Sequence, residues 1–214
     1  MLQVKIVPVT AFAQNCSILW DSESKEAVLI DAGGEAIKLK QEVEAMGLKV
    51  KALWLTHGHL DHAGAVGELS KLWQVPVIGP HKDDQFWLDM IQDVSKRYGF
   101  PIPQPVQVDT WLEGGETLEL GQTKFEVRFA PGHTPGHVMF YSPEYHLLWT
   151  GDVLFKGSIG RTDFPRGNHQ QLIDSIQREC FSLPDKTQFI SGHGPMSTIG
   201  HEKQFNPFVA GKAG

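Results

Sequence analysis

Thr56-His57-Gly58-His59-Leu60-Asp61-His62 places three imidazoles and a carboxylate between positions 57 and 62. Such a cluster repels itself once protonated and resists burial unless it is paired. Neutral imidazole and ionised carboxylate are, however, good ligands for a divalent metal. Just upstream, Ala52 to Leu55 is an apolar run that reads as a strand leading straight into His57. Residues two apart in an extended chain point to the same side, so His57 and His59 can reach one metal. Asp61 and His62 lie past that point, where the chain turns into a helix, and can face a second location. The spacing differs from His-Glu-x-x-His, in which helical geometry brings two histidines to one face.

Further along the chain, potential ligands arrive singly. His133 sits in Pro131-Gly132-His133-Thr134-Pro135-Gly136-His137, Asp152 follows the apolar run Leu147 to Trp149 in Thr150-Gly151-Asp152, and His193 lies in Ile190-Ser191-Gly192-His193-Gly194. Each is in a glycine-bearing turn at a strand end. Glycine permits tight turns and close approach, and strand-end loops on a rigid scaffold favour functional groups.

The strands expected before the cluster are Val4 to Val9, Asn15 to Trp20 and Ala27 to Asp31, in an antiparallel meander. A helix is predicted over Glu35 to Met46, with Ala36, Leu39, Val43 and Met46 on one face and Gly47 as its stop. A second helix is predicted from His62 to Trp73, with Val66, Leu69, Leu72 and Trp73 inward, followed by a strand at Val75 to Ile78. Within 82–110, Phe86, Trp87, Met90 and Ile91 point to a helix, and Pro101, Pro103 and Pro105 to an irregular loop. The β pattern returns at Thr117 to Leu120, Lys124 to Phe129, His137 to Tyr141 and Leu147 to Thr150. A helix over Asn168 to Cys180, a strand at Gln188 to Ile190 and a helix at Ile199 to Gln204 complete the chain. Runs of strands with helices between them predict packed sheets with helices outside.

Composition narrows the class. With 41% hydrophobic and 21% charged residues in 214, the chain reads as a soluble globular protein able to bury a large core. A formal charge of -6 argues against a nucleic-acid partner. Cys16 and Cys180 are too few for a disulfide framework and fit a reducing compartment. The sequence offers no secretory leader and no apolar stretch of membrane-spanning length, so no membrane association and a cytoplasmic location are expected.

The ordered set Asp31-Ala32-Gly33-Gly34, Thr-His-x-His-x-Asp-His at 56–62, Gly132-His133, Gly151-Asp152 and Gly192-His193 resembles the motif series of the metallo-β-lactamase superfamily. The resemblance implies an α/β protein with the αββα four-layer sandwich fold as a single domain and a metal site at one edge. It implies that His57, His59 and His133 bind a first metal, that Asp61, His62 and His193 bind a second, and that Asp152 bridges both. Asp31 would sit behind them, orienting the histidine loop by hydrogen bonding. With no cysteine in the set, zinc is the first expectation for the two divalent ions, with iron and manganese as alternatives. Two such cations lower the pKa of a bridging water and polarise a carbonyl, and Asp61 would orient the hydroxide or take its proton.

Three segments narrow the resemblance. His133-Thr134-Pro135-Gly136-His137 is similar to glyoxalase II enzymes, which hydrolyse S-acylglutathione thioesters. Gly160-Arg161-Thr162-Asp163-Phe164 resembles a segment shared by short bacterial glyoxalase-II-like proteins and persulfide dioxygenases. The tail from Gly192 through Thr198-Ile199-Gly200-His201-Glu202 to Asn206-Pro207-Phe208 resembles the short, YcbL-type group. The implied activity is metal-dependent thioester hydrolysis of a small, glutathione-linked substrate. The longer enzymes hold glutathione on a separate C-terminal helical domain. Here only about twenty residues follow His193, so residues 1–214 are expected to form one domain without it. Arg161 and Arg166 are candidates for a substrate carboxylate, because guanidinium binds carboxylate bidentately. Arg161 can equally form an ion pair with Asp163. His137 either lines the pocket or is a strand residue held by a hydrogen bond, the latter preferred. Two other activities compete: a mononuclear-iron persulfide dioxygenase using residues matching His57, His133 and Asp152, and a lactonase-type hydrolase. A binding scaffold with a degenerate site would lack a ligand, and no ligand is missing.

Overall fold

The computed structural model describes residues 1–211, folded as two sheets with helices on their outer faces. In the first sheet, β1 (Leu2–Val9) and β2 (Gln14–Asp21) form an antiparallel hairpin, and β3 (Glu26–Ile30) adds antiparallel to β2. The expected meander ends there. Helix α1 (Ala36–Ala45) carries the chain back so that β4 (Lys49–Trp54) lies parallel to β3. A parallel neighbour requires such a crossover. Helices α2 (Leu60–Ala63) and α3 (Val66–Trp73) then lead to the short β5 (Val77–Ile78), parallel to β4. Helices α4 (Gln85–Asp89) and α5 (Ile91–Tyr98) precede the proline loop.

The second sheet contains β6 (Thr117–Leu120), β7 (Thr123–Phe129), β8 (Val138–Ser142) and β9 (Leu147–Gly151) as consecutive antiparallel neighbours. A small hairpin, β10 (Leu154–Phe155) with β11 (Ser158–Ile159), stands apart from it. After α6 (His169–Ser175), β12 (Gln188–Ser191) joins parallel to β9, and β13 (Ser197–Thr198) closes that edge before α7 (Ile199–Phe205).

Three separate apolar clusters account for four layers. Between the sheets, Leu19, Val28, Ile30 and Trp54 meet Phe125, Val127, Phe140 and Trp149. The Trp54 ring stands edge-on to Phe125 at 5.1 Å, an arrangement favoured by ring quadrupoles. Outside the first sheet, Ile18, Leu29 and Leu53 pack on Leu39 and Val43 of α1 and Leu69 of α3. Outside the second, Met139, Tyr141, Leu148 and Phe189 pack on Leu172, Ile173 and Ile176. Strands buried on both faces read as continuous apolar runs, and β8, with every residue buried, is the clearest case.

The structure departs from the sequence expectation at defined places. The helix expected over 62–73 breaks at Gly64 and Ala65. A Cβ at Gly64 would lie 2.5 Å from Gly33 O, and Ala65 N–H donates to Ala32 O at 2.9 Å. Docking onto the 32–34 loop therefore interrupts the helix, and Leu72 ends up exposed. The helix expected over 168–180 starts after Asn168, whose Oδ1 caps Gln171 N–H at 3.0 Å, and its last turn, Ile176–Cys180, is a π-helix. The hairpin of β10 and β11 and the two-residue strand β13 carry no periodic signal at their length.

Asp31 directly follows β3, Thr56 to His62 follow β4, Asp152 follows β9 and His193 follows β12. Because β4 runs parallel to β3 and β12 runs parallel to β9, these carboxyl ends meet at one edge of the sandwich.

Candidate metal centre

Past β4 the chain stays extended through His59, whose φ of -68° and ψ of 151° cap α2. His57 and His59 therefore project together, while Asp61 and His62 ride on the first turn of α2. His59 Nδ1 lies 3.1 Å from His57 Nε2 and 3.0 Å from His133 Nε2. Asp61, His62 and His193 form a second group whose ligand atoms all lie within 4.8 Å of one another. Asp152 stands between the groups, with Oδ1 3.3 Å from His62 Nε2 and Oδ2 3.6 Å from His133 Nε2 and 3.7 Å from His193 Nε2.

The hydrogen bonds behind the rings fix which nitrogen faces inward. Thr56 Oγ1 donates to Asp31 Oδ2 at 2.7 Å, so it accepts from His57 Nδ1 at 3.0 Å. His62 Nδ1 donates to Asp31 Oδ2 at 2.8 Å, His133 Nδ1 to Arg161 O at 2.7 Å and His193 Nδ1 to Phe12 O at 3.1 Å. Carboxylates and carbonyls cannot donate. Each of the four rings therefore holds its Nδ1 proton outward and turns Nε2 to the interior, the orientation a metal-binding imidazole needs. Asp31 adopts φ +56°, an uncommon conformation outside glycine, which lets one carboxylate serve both Thr56 and His62.

The electrostatics agree with this donor set. Burial, together with the neighbouring imidazoles, pushes His57 well below the usual histidine range, and burial pushes His59 down to about 3. Both rings are neutral at physiological pH. Burial also disfavours charge on His62, but Asp152, Asp31 and Asp61 outweigh it and raise that ring well above the usual value. Burial opposes ionisation of Asp152, yet His62, His133 and His193 hold its carboxyl below the ordinary range. Asp31, Asp61 and Asp152 thus favour positive charge beside the His62 ring, with Asp61 and Asp152 on the side of its Nε2. That nitrogen and Asp152 Oδ1 are both buried without a hydrogen-bond partner. A Cβ at position 192 would lie 2.1 Å from Asp152 Oδ1 and 2.6 Å from His62 Cε1, so only glycine leaves the space between them open. Converging imidazole and carboxylate donors with orphaned inward atoms fit two divalent cations.

Two positioning groups lie behind the converging donors. His137 is fully buried and accepts from Asp152 N–H at 3.1 Å through Nε2, while its ring stacks on His57 at 4.7 Å. It is held in place, not exposed to the cavity. Asp84, absent from the sequence reading, is also fully buried. Its Oδ2 accepts from Gly58 N–H at 2.9 Å and Thr134 Oγ1 at 2.7 Å, and its Oδ1 accepts from Gly136 N–H at 2.6 Å. One carboxylate thereby joins the 57–59 turn to the 133–137 turn, the sources of all three residues in the first group. Nothing in the local sequence distinguishes it from its neighbour Asp83, which is exposed.

The centre opens into a cavity of about 500 Å³ lined by His59, Asp61, His133, Asp152 and His193, with Trp87, Tyr98, Phe155 and Phe164 among its walls. Arg161 reaches the same cavity. Its guanidinium pairs with Asp163 at 2.6 Å and 2.7 Å and lies 4.3 Å over the Phe164 ring. Arg166 is held elsewhere, donating to Asp83 O at 3.1 Å and stacking 5.0 Å over Phe86, and it is not among the residues lining the cavity.

Residues 9–193 match the sequence profile of the family described as the Metallo-beta-lactamase superfamily. The chain is 46% identical over 213 residues to the hydroxyacylglutathione hydrolase GloC of Haemophilus influenzae, covering 99% of this chain and 100% of that protein. It is similar to the solved structure of the BLEG-1 B3 metallo-β-lactamase, with a TM-score of 0.90 and 38% identity over 98% of this chain and 100% of that one. TTHA1623, solved in a di-iron-bound form, gives a TM-score of 0.87 at 38% identity, covering 96% and 100% of the two chains.

Proposed function

The chain belongs to the metallo-β-lactamase superfamily and is a metallo-hydrolase, and within that family we propose that it hydrolyses S-acyl thioesters of glutathione. The observation that carries this reading is the division of seven donor residues into two groups with Asp152 between them. The likeness to the Haemophilus influenzae hydroxyacylglutathione hydrolase supports the choice of substrate. Two divalent ions, zinc first and iron or manganese as alternatives, are proposed for His57, His59 and His133 and for Asp61, His62 and His193, with Asp152 shared. When bound, such ions supply a water ionised near neutral pH and a Lewis acid for the carbonyl oxygen. Hydrolysis joins water oxygen to the acyl carbon, breaks the C–S bond and leaves a carboxylic acid and a thiol.

The chain's own residues supply the rest. Burial raises Asp61, but His62 and His193 outweigh it and keep the carboxylate ionised, with Oδ2 3.1 Å from His193 Nε2. Asp61 is therefore suited to orient water and to accept its proton. His137 fixes the Asp152 backbone, and Trp87 and Phe164 exclude bulk water. Arg161 is proposed for a substrate carboxylate and exchanges Asp163 for it on binding. The proposed catalytic unit is this sandwich, and the match to the Haemophilus influenzae protein extends over 100% of that protein. A cytoplasmic, reducing setting is proposed from the two free, buried thiols. Among the described residues no helix is long and apolar enough to cross a membrane.

A mononuclear-iron persulfide dioxygenase is the second reading, kept open by the likeness to a protein solved in a di-iron-bound form. The two are separated by stripping the protein of metal and reloading it with zinc, iron or manganese. Loss of S-lactoylglutathione thioester absorbance is then compared with oxygen uptake on glutathione persulfide. Metal-restored thioester cleavage is expected; oxygen uptake without thioester loss would overturn the hydrolase assignment.

A further inference from the structure

A second cavity, of about 580 Å³, adjoins the metal cavity and shares Phe12, Leu60 and Asp61 with it. It lies between the tip of the β1–β2 hairpin, α1, α3 and the proline loop, and Arg161 is not among its lining residues. Its lining includes Ile37 and Ile102, which are 71% and 49% exposed, and Phe12 at the junction is 40% exposed. Large apolar side chains left in water around a concave surface mark a binding site. Phe12 is braced by Phe100 at 5.3 Å and Tyr98 at 5.8 Å, so the divider between the cavities is itself apolar.

The polar groups decide the occupant. The ammonium in the lining, Lys38, is engaged by Pro8 O at 2.7 Å and Glu35 at 3.3 Å. Glu35 and Glu68 add negative charge. A free carboxylate, such as those glutathione carries, finds no unengaged cation among the described residues lining it, whereas Arg161 lines the metal cavity. The apolar side chains of Phe12, Ile37, Leu60, Phe100 and Ile102, the lack of an unengaged cation among the described lining residues and continuity with the metal cavity through Asp61 together suit an apolar chain attached to the reacting carbonyl.

We propose that this second cavity is the acyl-chain subsite, and that the preferred substrates are thioesters of medium-length apolar acyl groups running past Phe12 and over Leu60. The proposal rests on the thioesterase reading and names the acyl class that reading leaves open.

The test is kcat/KM for metal-loaded protein with S-acetyl-, S-butyryl-, S-hexanoyl- and S-octanoylglutathione, repeated with the acyl groups on N-acetylcysteamine. A buried methylene can contribute up to about fourfold. An overall rise of about tenfold or more from acetyl to octanoyl is expected with either thiol. Ile102→Asp and Ile37→Asp alter exposed residues outside the metal cavity. Each is expected to abolish that rise while leaving the acetyl rate within about twofold. A flat or falling series in the parent protein, or variants that slow all acyl lengths equally, would overturn the subsite and leave the thioesterase intact. Absence of metal-dependent cleavage of any member would overturn both.

Discussion

Asp31 holds a left-handed backbone conformation that costs a non-glycine residue about 1 kcal/mol or more. Its compensation is local: Thr56 N–H and Oγ1 and His62 Nδ1 all donate to its carboxylate. Asparagine would keep the size but turn an amide toward one of those donors. Asp31→Asn is therefore expected to weaken metal binding about 10- to 100-fold while retaining the fold, measured by chelator competition and circular dichroism. Undiminished affinity would remove Asp31 from the ligand support. The cysteines behave oppositely. Burial pushes Cys180 up to about 12 and Cys16 higher still, so both remain protonated thiols across the physiological range. Neither should react with a thiol-specific reagent in native protein at pH 7 to 9, and both should react after denaturation. Labelling that climbs with pH in the native state would contradict this. At this scale the residues whose donor atoms converge were legible in the sequence because metal chemistry demands particular side chains at particular intervals. Asp84 was not, because its role depends on the turns at 57–59 and 133–137 meeting in space.

The 3-10 turn Lys82–Asp84 shows how a short element can govern a site made by longer ones. It contributes none of the converging donors, yet the Asp84 carboxylate spans the turns that carry His57, His59 and His133. Asp84→Asn leaves at least one of its three donors facing an amide N–H. The expected result is metal affinity reduced about tenfold or more at the first site, with the metal-free fold retained. Burial raises the Asp84 carboxyl to about 6, against three hydrogen bonds that pull it down. The ordinary value is about 3.9. A raised carboxyl binds its proton more tightly in the folded state, so its stability contribution is full below about pH 4 and is lost as pH rises through about 6. The stability of the parent protein relative to the variant should decline over that window, as followed by urea unfolding of metal-free samples. A gap that widens instead would show that the ionised clamp stabilises the fold outright. Strands and helices were largely legible from periodicity because burial on one side or both leaves a pattern. The break at Gly64 was not, since it arises from contact with Gly33 and Ala32. The same holds for the hairpin of β10 and β11. Its position comes from Glu202 on α7, which accepts from Gly157 N–H at 2.8 Å, and Asn206, which donates to Ser158 O at 3.0 Å.

Across the whole molecule, the donors divide between the sheets. His57, His59, Asp61 and His62 follow β4 in the first, and His133, Asp152 and His193 belong to the second. Metal would therefore add to the links between two layers that already meet through the apolar cluster, the Asp84 carboxylate and hydrogen bonds such as Val138 N–H to Thr56 O at 2.8 Å. A ligand present at a thousand times its dissociation constant adds about 4 kcal/mol to the native state. For a domain of this size that corresponds to a rise in Tm of roughly 8 to 16 °C. Chelation should lower Tm by about that amount, and stoichiometric metal should restore it. An unchanged Tm would mean that the sheets do not depend on the centre. The αββα architecture was legible in the sequence through the order of its motifs, whereas the pairing of β12 beside β9 depends on a long-range contact no local pattern encodes. The placement of the donors also imposes an order in time. During synthesis residues 57–62 leave the ribosome long before residue 193, and an early nascent chain can offer at most an incomplete cluster. His193 closes the second group only after β12 has aligned beside β9. A tightly held second ion would therefore serve as a record that the ribosome read through to the last motif and that both sheets had come together.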